Sequence, residues 1–115
     1  MEHIPEKYRH DLAIIRDTAK QIARDLNMDE SEFKFSGNEH QAFDELKLQL
    51  LPIIEKIYSN TNAFRNLLYK VDISEQDFRK ILLPDKSVSV KERITETIIR
   101  REFQKVLTKR FFSKE

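Results

Sequence analysis

Two histidines stand four residues from a carboxylate, a spacing at which side chains on one helix face can share a metal ion. The pairs are Glu6 with His10 and His40 with Asp44. Each pair supplies two ligands, whereas zinc sites in proteins use three or four. The sequence contains neither the Glu-x-x-His spacing of helical di-iron proteins nor the His-Glu-x-x-His motif of zinc proteases. We therefore expect no metal and no other cofactor.

The composition excludes several classes of catalytic site. The 115 residues include one glycine and no cysteine. Phosphate-binding loops and dinucleotide-binding turns need several glycines, and thiolate chemistry needs cysteine. The sequence does not support a nucleophilic triad of serine, histidine and aspartate. We expect that the protein is not an enzyme, and the lack of cysteine fits a reducing, cytoplasmic location.

Basic side chains follow one side of the last predicted helix. They recur every fourth residue, so they stack along one face, and apolar residues lie beside them. We expect this surface to bind another protein, or a second copy of the chain in a homodimer, with apolar anchors and a basic rim: Arg101, Phe103, Lys105, Leu107, Lys109 and Phe111. The alternative is a solvated helix face on which Glu96 pairs with Arg100 and Glu102 with Lys105 as ordinary surface pairs.

Residues 64–82 resemble a helix-turn-helix motif in the spacing of Leu68, Ile73, Phe78 and Ile81. Two positions depart from the motif, since Leu68 stands where a small residue is usual and Asp72 where glycine is usual. The resemblance implies nucleic-acid binding as the alternative function, and a purely structural helical hairpin is the other interpretation. The residues that would contact nucleic acid are Arg79, Lys80, Arg101, Lys105 and Lys109.

The spacing of apolar residues predicts an all-α, compact bundle that forms a single domain over residues 1–115. Pro52 interrupts the second long helix, which either kinks or restarts there. Phe33 and Phe35 are expected to anchor an irregular loop at about residues 28–38. The predicted long helices span about residues 5–26, 39–60 and 90–111, and the short helices about 62–70 and 74–83.

The last helix carries apolar residues on two sides. Val90, Ile94 and Ile98 lie on one side, and a second group centred on Phe103 lies roughly 100° to 180° away. One flat contact cannot bury both sides. Either the helix passes between two elements of its own domain, or its second half contacts another chain.

Charge is balanced over the whole chain but not between its parts. The chain has 21 basic and 20 acidic residues, whereas residues 86–115 hold nine basic and four acidic ones, a net charge of +5. Such asymmetry bears on partners rather than on fold. No apolar run approaches the roughly 20 residues that a bilayer requires, so we expect no membrane contact. The sequence thus predicts a non-catalytic protein-interaction or structural module.

Residues 28–38 contain Gly37, the one glycine of the chain. We predict that this loop is the most mobile internal segment, because it has no periodic apolar pattern to hold a helix. Hydrogen exchange measured by mass spectrometry should therefore show faster exchange there than in the long helices. Equal protection in the loop and the long helices would contradict the prediction.

Overall fold

The computed structural model describes residues 10–83 and 87–111, which form five α-helices and no strand. The predicted all-α fold is confirmed. Within the two described ranges, no helix is both long and apolar enough to cross a membrane. In chain order the helices are α1 (Leu12–Asp25), α2 (Ala42–Tyr58), α3 (Thr61–Val71), α4 (Glu75–Ile81) and α5 (Val90–Phe111).

Capping residues decide where α1 begins. Asp11 has extended backbone, and its side chain accepts a hydrogen bond from the backbone nitrogen of Ile14 at 3.2 Å. This bond satisfies one of the free N–H groups in the first turn. The helix therefore begins at Leu12, and the predicted start at residue 5 is corrected because residues 10 and 11 are not helical. Residue 5 itself lies outside the described residues.

The turn between α3 and α4 is built without glycine. Asp72 has a φ of 66°, in the left-handed region that aspartate tolerates better than most residues. The backbone nitrogen of Ile73 donates to the carbonyl of Leu68 at 3.1 Å, which closes the end of α3. Ser74 then caps α4 by accepting a hydrogen bond from the backbone nitrogen of Asp77 at 3.0 Å. Residues 64–82, which resemble a helix-turn-helix motif, thus form a capped helical hairpin.

Helix α2 continues through Pro52 rather than restarting there. Proline has no N–H, so the carbonyl of Leu48 lacks its helical partner. Leu48 is 71% exposed and Pro52 is also exposed, so water can reach this side of the helix. Solvent exposure therefore explains why the helix tolerates proline in its interior.

The loop between α1 and α2 is irregular apart from a single 3-10 turn at Glu30–Glu32. Phe33 is buried, and Phe35 is half-buried against the core, so the predicted aromatic anchors are confirmed. The side chain of Gln49 on α2 also holds the loop. It accepts from the backbone nitrogen of Lys34 at 2.8 Å and donates to the carbonyl of Lys34 at 2.7 Å.

Helix α5 is the centre of the bundle and packs against all four other helices. Both of its apolar sides are buried: Ile94 and Ile98 on one side, and Ile99 and Phe103 on the other. Of the two alternatives left by the sequence, the helix therefore passes between elements of its own domain. The expectation that Phe103 and Leu107 are surface anchors is corrected, since both are buried within the chain.

We predict that Phe103→Ala lowers the free energy of unfolding by about 3–5 kcal/mol, because it leaves a cavity in the bundle centre. Phe111 is 52% exposed on the same helix, so Phe111→Ala should change stability by less than about 0.5 kcal/mol. Urea unfolding followed by circular dichroism measures both. Wild-type stability in the Phe103 variant would show that this side chain is not part of the core.

Candidate functional site

A glutamic acid side chain lies in the middle of the core. Glu102 on α5 is 0% exposed, and Nζ of Lys105, one helical turn further along, is 2.7 Å from its Oε1. The same Nζ is 2.9 Å from Oδ2 of Asp25, the last residue of α1. We call these three residues, Asp25, Glu102 and Lys105, the acid–lysine cluster. The cluster forms because the interior face of α5 turns towards the end of α1.

The cluster also reaches α3. Nζ of Lys105 donates to the carbonyl of Lys70 at 3.1 Å, in the last turn of α3. A cation at this position complements the partial negative charge of a helix C-terminus. On the α1 side, Gln21 donates to Oδ1 of Asp25 at 3.3 Å. Three helices therefore meet at a single ammonium group.

The charges of the cluster balance only if it holds a proton. Burial raises the pKa of Glu102 to about 8, and the adjacent Asp25 carboxylate adds to the rise. Burial alone would raise the pKa of Asp25, but its contacts with Glu102 and Lys105 lower it overall. Burial alone would lower the pKa of Lys105, but the two carboxylates raise it. At neutral pH, a protonated Glu102 therefore lies beside an ionised Asp25 and a charged Lys105.

The oxygens of Glu102 fit this protonation state. Neither oxygen accepts a hydrogen bond with acceptable geometry, although the ammonium of Lys105 is near. A buried carboxylate without such bonds would be strongly disfavoured, whereas a neutral carboxyl group can donate its proton to Asp25. Perturbed pKa values are common in catalytic sites, but a general acid must reach the atom that it protonates. Glu102 is inaccessible to a substrate. Its position therefore suits a structural role, in which it helps to hold the helices together.

The basic residues predicted to form an interaction rim are engaged within the chain. Arg101 donates from Nε to the carbonyl of Asp72 at 3.1 Å and from Nη2 to its carboxylate at 3.0 Å. Lys109 donates to Oε1 of Gln21 at 2.8 Å. Nearby, Arg110 pairs with Asp17 of α1 at 2.8 Å. The structure therefore brings these cations together with α1 and the end of α3.

Two pairs expected on the helix surface differ from the prediction. Glu102 and Lys105 are in contact, but the glutamate is fully buried, so the expectation of an ordinary surface pair is corrected. Glu96 pairs with Lys47 of α2 at 3.4 Å, instead of with its predicted partner Arg100. The spacing of residues along α5 predicts the Glu102–Lys105 pair but not its burial, because burial depends on where α1 and α3 pack against α5.

Helix α4 brings the two remaining nucleic-acid candidates to the surface. Arg79 and Lys80 are both exposed, and Arg79 forms an ion pair with Glu75 at 3.1 Å. The side chain of Lys80 has neither an ion pair nor a hydrogen bond within the described ranges. These two cations therefore do not join Lys105, which faces α1 and α3.

The histidines lie next to each other rather than in separate sites. The ring centroids of His10 and His40 are 4.9 Å apart. His40 is also 3.8 Å from the carboxylate of Glu39. Among residues 10–83 and 87–111, no group of three or more potential metal ligands is present. Glu6, the predicted partner of His10, lies outside the described residues.

An apolar groove lies between α3 and α4. It has a volume of about 420 Å³ and is lined by Leu68, Tyr69, Ile73 and Phe78, with Arg65 and Glu75 also contributing. Tyr69 is 78% exposed, the largest exposure among the large apolar side chains of the described chain. We call this feature the α3–α4 groove. The sequence analysis does not predict this groove, because the apolar spacing that includes Leu68 and Phe78 does not show that both side chains are only half-buried at the groove wall.

Comparisons with known proteins do not assign the chain to a family. The sequence matches no family model, and no curated protein or solved structure is significantly similar to it.

The acid–lysine cluster predicts that stability falls as pH rises towards 8. The pKa of Glu102 is about 8 in the folded chain against an ordinary value of 4.5, so between these values the folded state binds more protons than the unfolded state. Stabilisation by the protonated group is complete below the lower value and is lost as pH rises through the higher one. The slope should reach at most about 1.4 kcal/mol per pH unit. Urea unfolding between about pH 5 and pH 8.5 measures it.

The variant Glu102→Gln should remove most of this pH dependence, because the amide stays neutral and can still donate to Asp25. Glu32→Gln, which changes an exposed carboxylate on the 3-10 turn, is the matched control and should retain the wild-type slope. A wild-type stability that rises from pH 5 to pH 8 would contradict the assigned protonation state. So would an unchanged slope in Glu102→Gln.

Proposed function

We propose that the protein is a non-catalytic, cytoplasmic interaction module that binds a protein segment in the α3–α4 groove. The observation that carries the proposal is Tyr69, which is 78% exposed beside an open apolar groove. Single exposed apolar residues are common on proteins, but an exposed aromatic next to a groove is typical of binding surfaces. Leu82, one helical turn beyond Phe78, is 51% exposed and extends the apolar surface along α4.

The charges around the groove indicate the chemistry of its partner. Glu75 is paired with Arg79, whereas the side chain of Arg65 has no ion pair or hydrogen bond within the described ranges. An uncompensated cation beside an apolar groove favours a partner with a carboxylate near its apolar side chain. We therefore propose that the partner segment inserts an apolar side chain next to Tyr69 and places an aspartate or glutamate beside Arg65.

The α3–α4 groove is a better candidate than the C-terminal half of α5. The cations there already bond to Asp25, Asp72 and Gln21, and a partner would have to replace those bonds. The same internal pairing weakens the nucleic-acid alternative, because paired cations release fewer counterions on binding a phosphate backbone. The ion pair between Arg79 and Glu75 adds a carboxylate to the surface that would face the nucleic acid.

The proposal of a non-catalytic role is supported by the most perturbed acid of the described chain. Glu102 has a strongly raised pKa, yet it has no exposed surface on which a substrate could bind. Proton transfer to a substrate requires contact or one bridging water. The raised pKa of Glu102 is therefore best explained by its burial in the core and not by a role in catalysis.

Selection from a phage-displayed random peptide library tests the proposal. We expect the selected peptides to carry an apolar residue close to an aspartate or glutamate. Tyr69→Ala should weaken their binding by about thirtyfold, since truncation of an aromatic at a binding hot spot costs about 2 kcal/mol. Titration calorimetry with one selected peptide gives the affinities.

Leu48→Ala is the matched control, because Leu48 is 71% exposed on α2 and does not line the groove. Equal binding to the wild type and to Tyr69→Ala would exclude the groove as the contact surface. Light scattering coupled to gel filtration covers the case in which the partner is a second copy of the chain. A homodimer that persists in Tyr69→Ala would place the contact elsewhere.

A further inference from the structure

We propose that a small cavity between α4 and α5 binds an oxyanion such as a phosphate group, through Lys80, Arg93 and Arg100. The cavity has a volume of about 170 Å³ and is lined by residues from both helices. A single water needs a cavity of roughly 10–15 Å³, so a cavity of this larger volume admits a polyatomic anion. The cavity is separate from the α3–α4 groove, and the inference does not depend on the function proposed for that groove.

Three cations from two helices line this cavity. Lys80 comes from α4, and Arg93 and Arg100 come from α5. Neither the Lys80 side chain nor the Arg100 side chain forms an ion pair or a hydrogen bond within the described ranges. This differs from the neighbouring Arg101 and from Lys105, which pair with Asp72 and Asp25. Lys80 and Arg100 thus bring positive charge to the cavity without an acidic partner of their own.

Arg93 adds a fixed positive charge. Its Nη1 donates to the carbonyl of Leu83, which fixes the guanidinium group. Its Nε is buried and has no hydrogen-bond partner, and an anion in the cavity does not reach it. Arg93 therefore favours an anion in the cavity through its charge, while the side chains of Lys80 and Arg100 donate the hydrogen bonds.

Two carboxylates also line the cavity, and they limit the strength of binding. Glu96 is paired with Lys47 on α2 at 3.4 Å, so part of its charge is neutralised from outside the cavity. Asp77 lies on the α4 side. The cations outnumber the carboxylates by three to two. We therefore expect weak binding, with a dissociation constant on the order of a millimolar for inorganic phosphate.

The test is a titration of the full chain with inorganic phosphate at pH 7, with sodium chloride used to keep the ionic strength constant. NMR signals of arginine Nε–Hε groups report on an anion bound beside each guanidinium group. We expect saturating shifts for Arg93 and Arg100, and no saturating shift for Arg16, which is exposed on α1. A second titration with a phosphomonoester shows whether an esterified phosphate binds more tightly than the free ion.

Arg100→Gln should weaken phosphate binding by about tenfold, because it removes a charge-assisted hydrogen bond. Lys80→Gln tests the same cavity from the other helix, and Arg16→Gln is the control with the same change of charge. Dispersed amide signals establish that each variant is folded. Small, non-saturating shifts at all arginines would overturn the proposal. So would wild-type affinity in both Arg100→Gln and Lys80→Gln.

Discussion

The contact of Lys105 with two acids constrains the arrangement of the bundle. A carboxyl group at position 102 lies at full depth in the core, where an ionised and unpaired group would cost several kcal/mol. The fold tolerates it because the end of α1 brings Asp25 and the end of α3 brings a carbonyl to the same ammonium. Apolar packing allows many small shifts between helices, whereas this polar junction requires the ends of α1 and α3 to lie at fixed distances from α5. The junction therefore contributes more to the specificity of the helix arrangement than to the stability of the fold.

Much of the fold could be predicted from local patterns. The spacing of apolar residues gave the bounds of α5, and the turn residue Asp72 and the cap Ser74 behave as their side chains predict. The predicted start of α1 was wrong. The apolar spacing continues across Asp11, whereas the hydrogen bond by which Asp11 caps the helix depends on backbone geometry. The buried cluster could not be predicted, because Glu102 and Lys105 have the spacing of a common surface pair. Their burial is decided by Lys70 and Asp25, which lie 35 and 80 positions before Lys105.

The internal pairing of charge changes what the asymmetry of the sequence means. The excess of basic residues after residue 86 suggests an exposed cationic surface, yet α5 directs much of this charge towards Asp17, Asp25 and Asp72. Net charge over a segment therefore describes its composition and not its surface. Helix α4 has seven residues and buries only Ile81 among them, and its cations Arg79 and Lys80 are exposed. A short, lightly buried helix between an apolar groove and a basic cavity is well placed to contact ligands, since its own packing constrains little of its surface.

The central position of α5 also bears on biosynthesis. Ribosomes produce the chain from its N-terminus, so α1 to α4 emerge before the helix against which all of them pack. Until residues 90–111 have left the exit tunnel, side chains such as Ile15, Leu46 and Leu50 have no complete core to enter. The bundle therefore completes its folding only after α5 has emerged, and until then the chain exposes apolar segments that chaperones recognise. The sequence order of the helices thus sets the time at which the domain can form.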